Sequence, residues 1–411
     1  MARRRPSAAP RLGRPESTLA IAVLALVLFG LVMVYSSSSA TAVLSNGSPT
    51  DLLLRQAIYA LLGLGAYLVF ARMSPAGLRR LGTPLLGISV LLLLLVLVPG
   101  LGTTTNGSTR WIAVGGLFQI QPSEIAKLAI ILWLAQAVAR DPAGLRRGEG
   151  LTPLIGISAI VAALVLAEPD LGTAATIFVV VLAMLAVAGA RASHLFMVTA
   201  GACALAMFAI ISAPYRRARL TTFLDPWSDP DGAGFQSVQA QLAVASGKLT
   251  GVGLGDGLQK VFYLPEAPTD MILATVGEEL GVLGIVGVLA ALVVVVISGY
   301  RIALAARERH LQVVAAGLTT LIAVQAFFNA GAVLGLLPIT GVPLPYVSFG
   351  GNSLIVLLAS TGILVNIGRR SAKPGLRVVG GGDARLDRGG RHGRPRRAGA
   401  GARGRAVGAR R

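Results

Sequence analysis

The chain has 411 residues, of which 54% are hydrophobic and 13% charged, with a mean hydropathy of +0.72. A water-soluble protein carries about twice that charged share, so a soluble globular fold is excluded and an integral membrane protein is indicated. The net charge of +19 does not point to a nucleic-acid partner, because residues 1–16 (five Arg, one Glu) and 371–411 (twelve Lys or Arg, two Asp) hold most of it.

In chain order, a basic tail (1–17) leads into the first of ten apolar segments, near 18–36, 53–72, 83–99, 122–139, 151–168, 171–190, 194–213, 271–300, 312–336 and 352–368. Each approaches the roughly 20 apolar residues that a membrane helix needs. The first is too long for a cleavable signal segment and runs into Ser36–Ser39 without a small-residue cleavage site. The predicted class is therefore an all-α polytopic membrane domain of about ten spans over 18–370. Basic residues test the count independently, because inner loops collect Lys and Arg. Arg72, Arg79 and Arg80 follow span two; Arg140, Arg146 and Arg147 follow span four; Arg191 follows span six; Arg301, Arg307 and Arg309 follow span eight. The short outer loops near 37–51, 100–121 and 337–351 hold a single basic residue, Arg110. Both termini are thus expected inside.

Residues 214–270 form a long outer loop that breaks the pattern of short connections. Loops beyond about 15 residues are usually functional or disordered, and this one is not low in complexity. Phe235, Val238, Leu242 and Ala245 recur at helical spacing, so Gly234–Lys248 is expected to form an amphipathic helix on the outer leaflet. The tail 371–411, rich in Gly, Arg and Ala without periodicity, reads as disordered and basic, either binding anionic headgroups or serving as a soluble end. Cys203 is the single cysteine, so no intrachain disulfide can form. His194, His310 and His392 are too scattered for a His/Cys metal cluster.

Several polar residues sit where lipid would not tolerate them idly. Glu124 and Lys127, spaced i, i+3 at the start of span four, read as a neutralising pair, the wall of a polar cavity, or both. Glu168-Pro169-Asp170 fits a tight turn in which Asp170 caps span six. Gln325 and Asn329 are spaced for interhelical hydrogen bonding. The stretch 335–351 is apolar, yet its three prolines and four glycines forbid a regular helix. Irregular backbone at membrane depth survives only when buried in protein or bordering a wet cavity, so a re-entrant segment with a site beside it is expected. Asp270 lies where the long loop meets span eight, with Glu278 and Glu279 two turns deeper. It could merely cap a helix, but an outward carboxylate there is also placed to abstract a proton from a membrane-bound alcohol.

Nine stretches in one order resemble the SEDS family (shape, elongation, division and sporulation), the FtsW/RodA-type cell-wall polymerases. They are Asn106–Trp111, Gln121–Lys127, Glu168–Thr173, Asp225–Trp227, Gly234–Gln236, Ser246–Gly255, Gln259-Lys260, Tyr263–Gly281 and Leu337–Ser353. Gly277-Glu278-Glu279 resembles the FtsW division branch more than the RodA branch. One departure stands out: Pro268-Thr269-Asp270-Met271 replaces the His-Thr-Asp-Phe common in the family, which removes a histidine beside the carboxylate.

The resemblance implies a glycosyltransferase at the outer face of the bacterial cytoplasmic membrane, at the division septum. Its substrate would be lipid II, the undecaprenyl-pyrophosphate disaccharide-pentapeptide, with Asp270 as general base. Candidate cavity residues are Arg110, Glu124, Lys127, Asp170, Lys260, Glu278, Glu279, Asn329 and Ser348; Arg216 and Arg217 are further partners for a pyrophosphate. A divalent cation (Mg2+ or Mn2+) is admitted, but no ligand cluster demands one. Implied partners are a class B penicillin-binding transpeptidase and other division proteins, not nucleic acid. Two other functions compete, a lipid II flippase and a non-catalytic division scaffold. The one-sided polar elaboration favours chemistry at one face over alternating access.

Overall fold

The computed structural model describes residues 14–105, 108–114, 118–147, 150–212, 217 and 221–372. The first thirteen residues, Arg216 and the tail from Lys373 lie outside them, as do the readings made of those positions. All ten apolar segments are helical: α1 (Pro15–Leu44), α2 (Asp51–Arg72), α3 (Pro75–Val96), α4 (Pro122–Arg140), α6 (Leu151–Ala167), α7 (Leu171–Val187), α8 (Ala192–Ser212), α10 (Ile272–Ala305), α11 (Arg309–Val333) and α12 (Gly351–Ala372). Among the described residues, α5 (Pro142–Arg147) and α9 (Phe235–Gly247) are helices that are not spans. Seven of the ten are long and apolar enough to cross a bilayer, while α6, α7 and α8 supply shorter apolar stretches.

Local chemistry sets several starts. Proline opens α1, α3 and α4, where its missing N–H is no loss. The Ser74 hydroxyl caps α3 by accepting from the Gly77 amide at 3.0 Å. Helices α4, α11 and α12 are the most enclosed, whereas α1, α2, α3 and α10 turn Leu, Ile and Val outward. That outward apolar surface is what a helix facing lipid requires.

The connection between α3 and α4 forms a small sheet that the hydropathy pattern does not predict. Strands β1 (Gly102–Thr105), β2 (Ser108–Val114) and β3 (Phe118–Ile120) form an antiparallel meander, with Thr103 opposite Trp111 and Ala113 opposite Gln119. The predicted helix in the long loop forms as α9, but a different face is buried. Val238, Ala240, Ala243 and Gly247 are covered, while Leu242 and Ala245 are exposed. α9 packs against α10, and small residues let the two backbones approach, so protein rather than the outer leaflet covers this face.

Segment 334–350 is irregular; its first part is mostly exposed, and residues 342–348 are mostly buried where the chain dips into the bundle. A Cβ on Gly30, midway along α1, would lie 2.7 Å from the Tyr346 carbonyl oxygen. Only glycine admits that approach. The Tyr346 hydroxyl reaches Thr361 at 2.9 Å, and the Gln56 amide donates to the Ser348 carbonyl at 3.0 Å.

α10 is broken at Gly281, whose φ of 67° and ψ of −165° lie outside helical space. A helix would pair the Glu278 and Glu279 carbonyls with the amides of residues 282 and 283. Instead Val252 and Gly253 donate to those carbonyls at 3.0 and 3.1 Å, while Val282 and Leu283 donate to the Lys248 and Leu249 carbonyls at 3.0 and 3.2 Å. The long loop is spliced into the break, and the two carbonyls and two amides that lose their helical partners are all paired.

Candidate active site

A cavity of about 610 Å³ opens where the sheet, the α6–α7 turn, the long loop and the irregular 334–350 segment meet. Arg110, Glu124, Asp170 and Asp270 line it, as do Arg55, Gln236, Glu266 and Asn352.

Asp270 is half-buried and stands two residues before α10, next to its N-cap Met271. The Thr269 hydroxyl lies between the Glu266 carboxylate (2.7 Å) and Asp270 Oδ1 (3.4 Å). Burial first, and the Glu266 carboxylate second, push the Asp270 carboxyl up to about 7. The turn is pinned from α11 and from the dipping segment: Asn329 Nδ2 of α11 donates to the Asp270 carbonyl at 2.7 Å and to the Val342 carbonyl at 2.9 Å, and the Phe349 amide donates to the Pro268 carbonyl at 2.8 Å. The partner Gln325 lacks one: both its amide atoms are buried without a hydrogen bond.

Arg110 comes to the cavity on β2. Its guanidinium donates to the Glu168 carbonyl at 3.1 Å and to the Pro169 carbonyl, with Asp170 Oδ2 4.0 Å away. Asp170 also accepts from the Thr173 amide at 3.0 Å, the expected cap on α7. Beside it Glu168 is fully buried and neither carboxylate oxygen has a partner. Burial, then the charge of Asp170, raise its carboxyl to about 8, against the pull of Arg110. Glu124 and Lys127 form the expected buried pair, 2.6 Å apart, with Glu124 at the cavity wall and Lys127 behind it.

The remaining candidates do not line the cavity. Lys260 and Glu279 pair at 2.5 Å within α10's packing, and Glu278 Oε1 accepts from the Leu258 and Gln259 amides at 2.7 and 3.0 Å. Ser348 Oγ accepts from the Leu344 amide at 2.8 Å and so shapes the dipping segment. Their placement follows from the break in α10, which turns the two glutamates toward the loop. Sequence reasoning missed Arg55, Gln236 and Asn352. Arg55 carried a usable signal, since it is a cation at the outer end of span two where the positive-inside rule predicts none. Among the described residues no group of three His, Cys, Asp or Glu is arranged to hold a metal ion.

Fold and cavity together define a multi-pass membrane protein whose polar site, a carboxylate and guanidinium groups, is built on one face of the bundle. The chain belongs to the FtsW/RodA/SpoVE family of cell cycle proteins, which it matches over residues 17–373. It is 40% identical over 358 residues to the probable peptidoglycan glycosyltransferase FtsW of Geobacter metallireducens, covering 87% of this chain and 95% of the relative. It is also 40% identical over 360 residues to stage V sporulation protein E of Bacillus subtilis, covering 87% and 98%. Among solved structures it resembles a chain from a peptidoglycan synthase complex that coordinates polymerization and crosslinking, with a TM-score of 0.72, 30% identity and coverage of 87% and 98%. The rod shape determining protein RodA of Thermus thermophilus gives a TM-score of 0.63 at 29% identity, covering 87% and 97%.

Proposed function

We propose that this chain is a peptidoglycan glycosyltransferase that polymerises lipid II on the outer face of the cytoplasmic membrane, with Asp270 as general base. The names of its relatives and the family membership support the activity. The observation that carries the residue assignment is the sharing of one cavity by Asp270, held near neutrality, and the cations Arg110 and Arg55. In the reaction the Asp270 carboxylate takes the proton of the acceptor sugar's 4-hydroxyl. That oxygen forms the new bond to the donor's anomeric carbon, and the carbon–oxygen bond to undecaprenyl pyrophosphate breaks with inversion. The leaving pyrophosphate keeps the electron pair, and the guanidinium groups stabilise its charge. Such a leaving group needs no strong acid, so one carboxylate suffices where a glycosidase uses two.

The partner that this reading implies is a class B penicillin-binding transpeptidase, in keeping with the synthase complex among the structural relatives. The site of action is the division septum, with both termini in the cytoplasm. The test is strand synthesis from labelled lipid II by purified protein, alone and with its transpeptidase, beside a thermal melt. Asp270→Asn keeps the size of the side chain but cannot accept the proton; it should lower synthesis about 10²–10⁴-fold in a folded protein. In the parent, kcat/KM should climb through a pH of about 7 as the carboxyl deprotonates, then level. Near-parental synthesis by Asp270→Asn would remove the base assignment. Lipid II translocation across sealed vesicles without glycan strands would instead establish a flippase.

A further inference from the structure

The break at Gly281 makes the outer part of α10, Ile272–Leu280, a short lever separate from the membrane-spanning remainder. Residues 282–305 alone cover roughly 36 Å at 1.5 Å per residue, enough for a hydrocarbon core of about 30 Å. Asp270 stands two residues before the lever, next to its N-cap Met271. Eleven residues from the hinge amount to roughly 16 Å, so a tilt of about 4° would move Asp270 by about 1 Å.

The splice with residues 248–253 and the bonds from Glu278 tie the lever to the long loop, an element of the same outer layer. A different tie reaches the membrane-anchored bundle. Glu279 Oε1 and Oε2 accept from the Ser36 hydroxyl of α1 at 2.8 and 2.6 Å. Lys260 Nζ donates to Glu279 Oε1 at 2.5 Å, to the Gly255 carbonyl at 2.7 Å and to Ser36 Oγ at 3.3 Å. The Thr41 hydroxyl of α1 donates to the Lys260 carbonyl at 3.1 Å. Lys260, Glu279 and Ser36 are each at least 95% buried. None lines the cavity, so none of them touches substrate there.

We propose that Ser36, Glu279 and Lys260 are positioning residues for polymerisation, a latch that fixes the foot of the α10 lever against α1 and so sets where Asp270 stands. The inference rests on the reading of Asp270 as the base. Asn329 holds the head of the lever through the Asp270 carbonyl, and the latch holds its foot. Both points are needed to define its tilt. A misplacement of about 1 Å is enough to slow an oriented reaction by about 10²-fold.

The test compares Lys260→Met/Glu279→Gln, Lys260→Arg and Ser36→Ala with the parent, as full-length protein together with its transpeptidase. The double variant removes both charges at once, so no lone charge is left buried. With a parental melt it should lose about 10-fold or more in kcat, with KM changed less than about twofold. Lys260→Arg, which keeps the pairing, should recover most of the rate. Parental kcat in the folded double variant, or a loss no larger than its unfolded fraction, overturns the latch. Should the double variant fail to fold, Ser36→Ala decides: it keeps the ion pair and the Thr41 bond and drops the hydroxyl that ties Glu279 to α1, and an unchanged kcat overturns the proposal. Asp270→Asn in the same assay tests the base assignment separately. An inactive Asp270→Asn beside fully active latch variants removes the latch alone, whereas an active Asp270→Asn removes the base and any action of the latch through it.

Discussion

Two carboxyl groups near the cavity are raised by burial, and the surroundings decide what each can do. Asp270 borders open space, beside a threonine hydroxyl that lowers its affinity for a proton and a glutamate that raises it. Glu168 is sealed in the α6–α7 turn with both oxygens unpartnered, so at neutral pH it is held as the uncharged acid. Its folded pKa of about 8 lies above the ordinary 4.5. The native state therefore binds a proton that the unfolded chain has released, and this stabilising contribution is full below about 4.5 and lost as pH rises through about 8. Glu168→Gln imitates the neutral form at every pH. Its melting temperature should exceed the parent's near pH 8.5 and approach it near pH 5, by roughly the linkage described. A parent-variant difference that does not change with pH would mean that Glu168 finds a charge partner in the folded state.

At the level of elements, the break in α10 is the feature on which most else depends. Gly281→Ala places a methyl group against the Leu249 carbonyl and the Gly251 amide nitrogen, at a φ that side chains rarely adopt. Such strain costs about 1–3 kcal/mol, so the variant should melt several degrees lower and lose splice-region amide protection in hydrogen exchange. Retained protection and an unchanged melt would show that the break does not need glycine. The ten helices were legible because each carries its own apolar run. The splice was not, since it pairs residues 248–253 with 278–283 and a pattern along the chain cannot report such a meeting. The same limit applies to Lys260 and Glu279, which look like cavity charges until the break turns Glu279 inward. The β-meander had a signal that hydropathy passes over: Asn106-Gly107 between runs containing Thr103–Thr105 and Thr109–Ile112, a pattern that favours hairpins. For α9 the period was right and the face wrong, because burial followed small residues that admit close packing rather than the larger apolar ones.

Over the whole molecule, the bundle closes before the basic C-terminal tail begins. At the C-terminal end of α12, Asn366 Nδ2 donates to the Phe70 and Met73 carbonyls at 2.8 and 2.7 Å, fastening the last turn of α2. Arg370 donates to Asn366 Oδ1 at 2.6 Å and to the Met73 carbonyl at 3.2 Å. These bonds satisfy carbonyls that a helix end leaves open, and they need nothing beyond Ala372. The cavity lies at the opposite end of α12 from this cluster, because Gly351, Asn352 and Ser353 line it. Residues 374–411 carry no apolar periodicity that could add a span or a packed helix. Truncation after Lys373 should therefore leave the melt unchanged and glycan synthesis in detergent within a few-fold of the parent. Binding of the protein to its transpeptidase, followed by co-purification, should survive as well. A truncated protein that folds normally yet makes no glycan would show that the tail acts on the outer site through the bundle, and that the fold's closure at Arg370 does not mark the end of the catalytic unit.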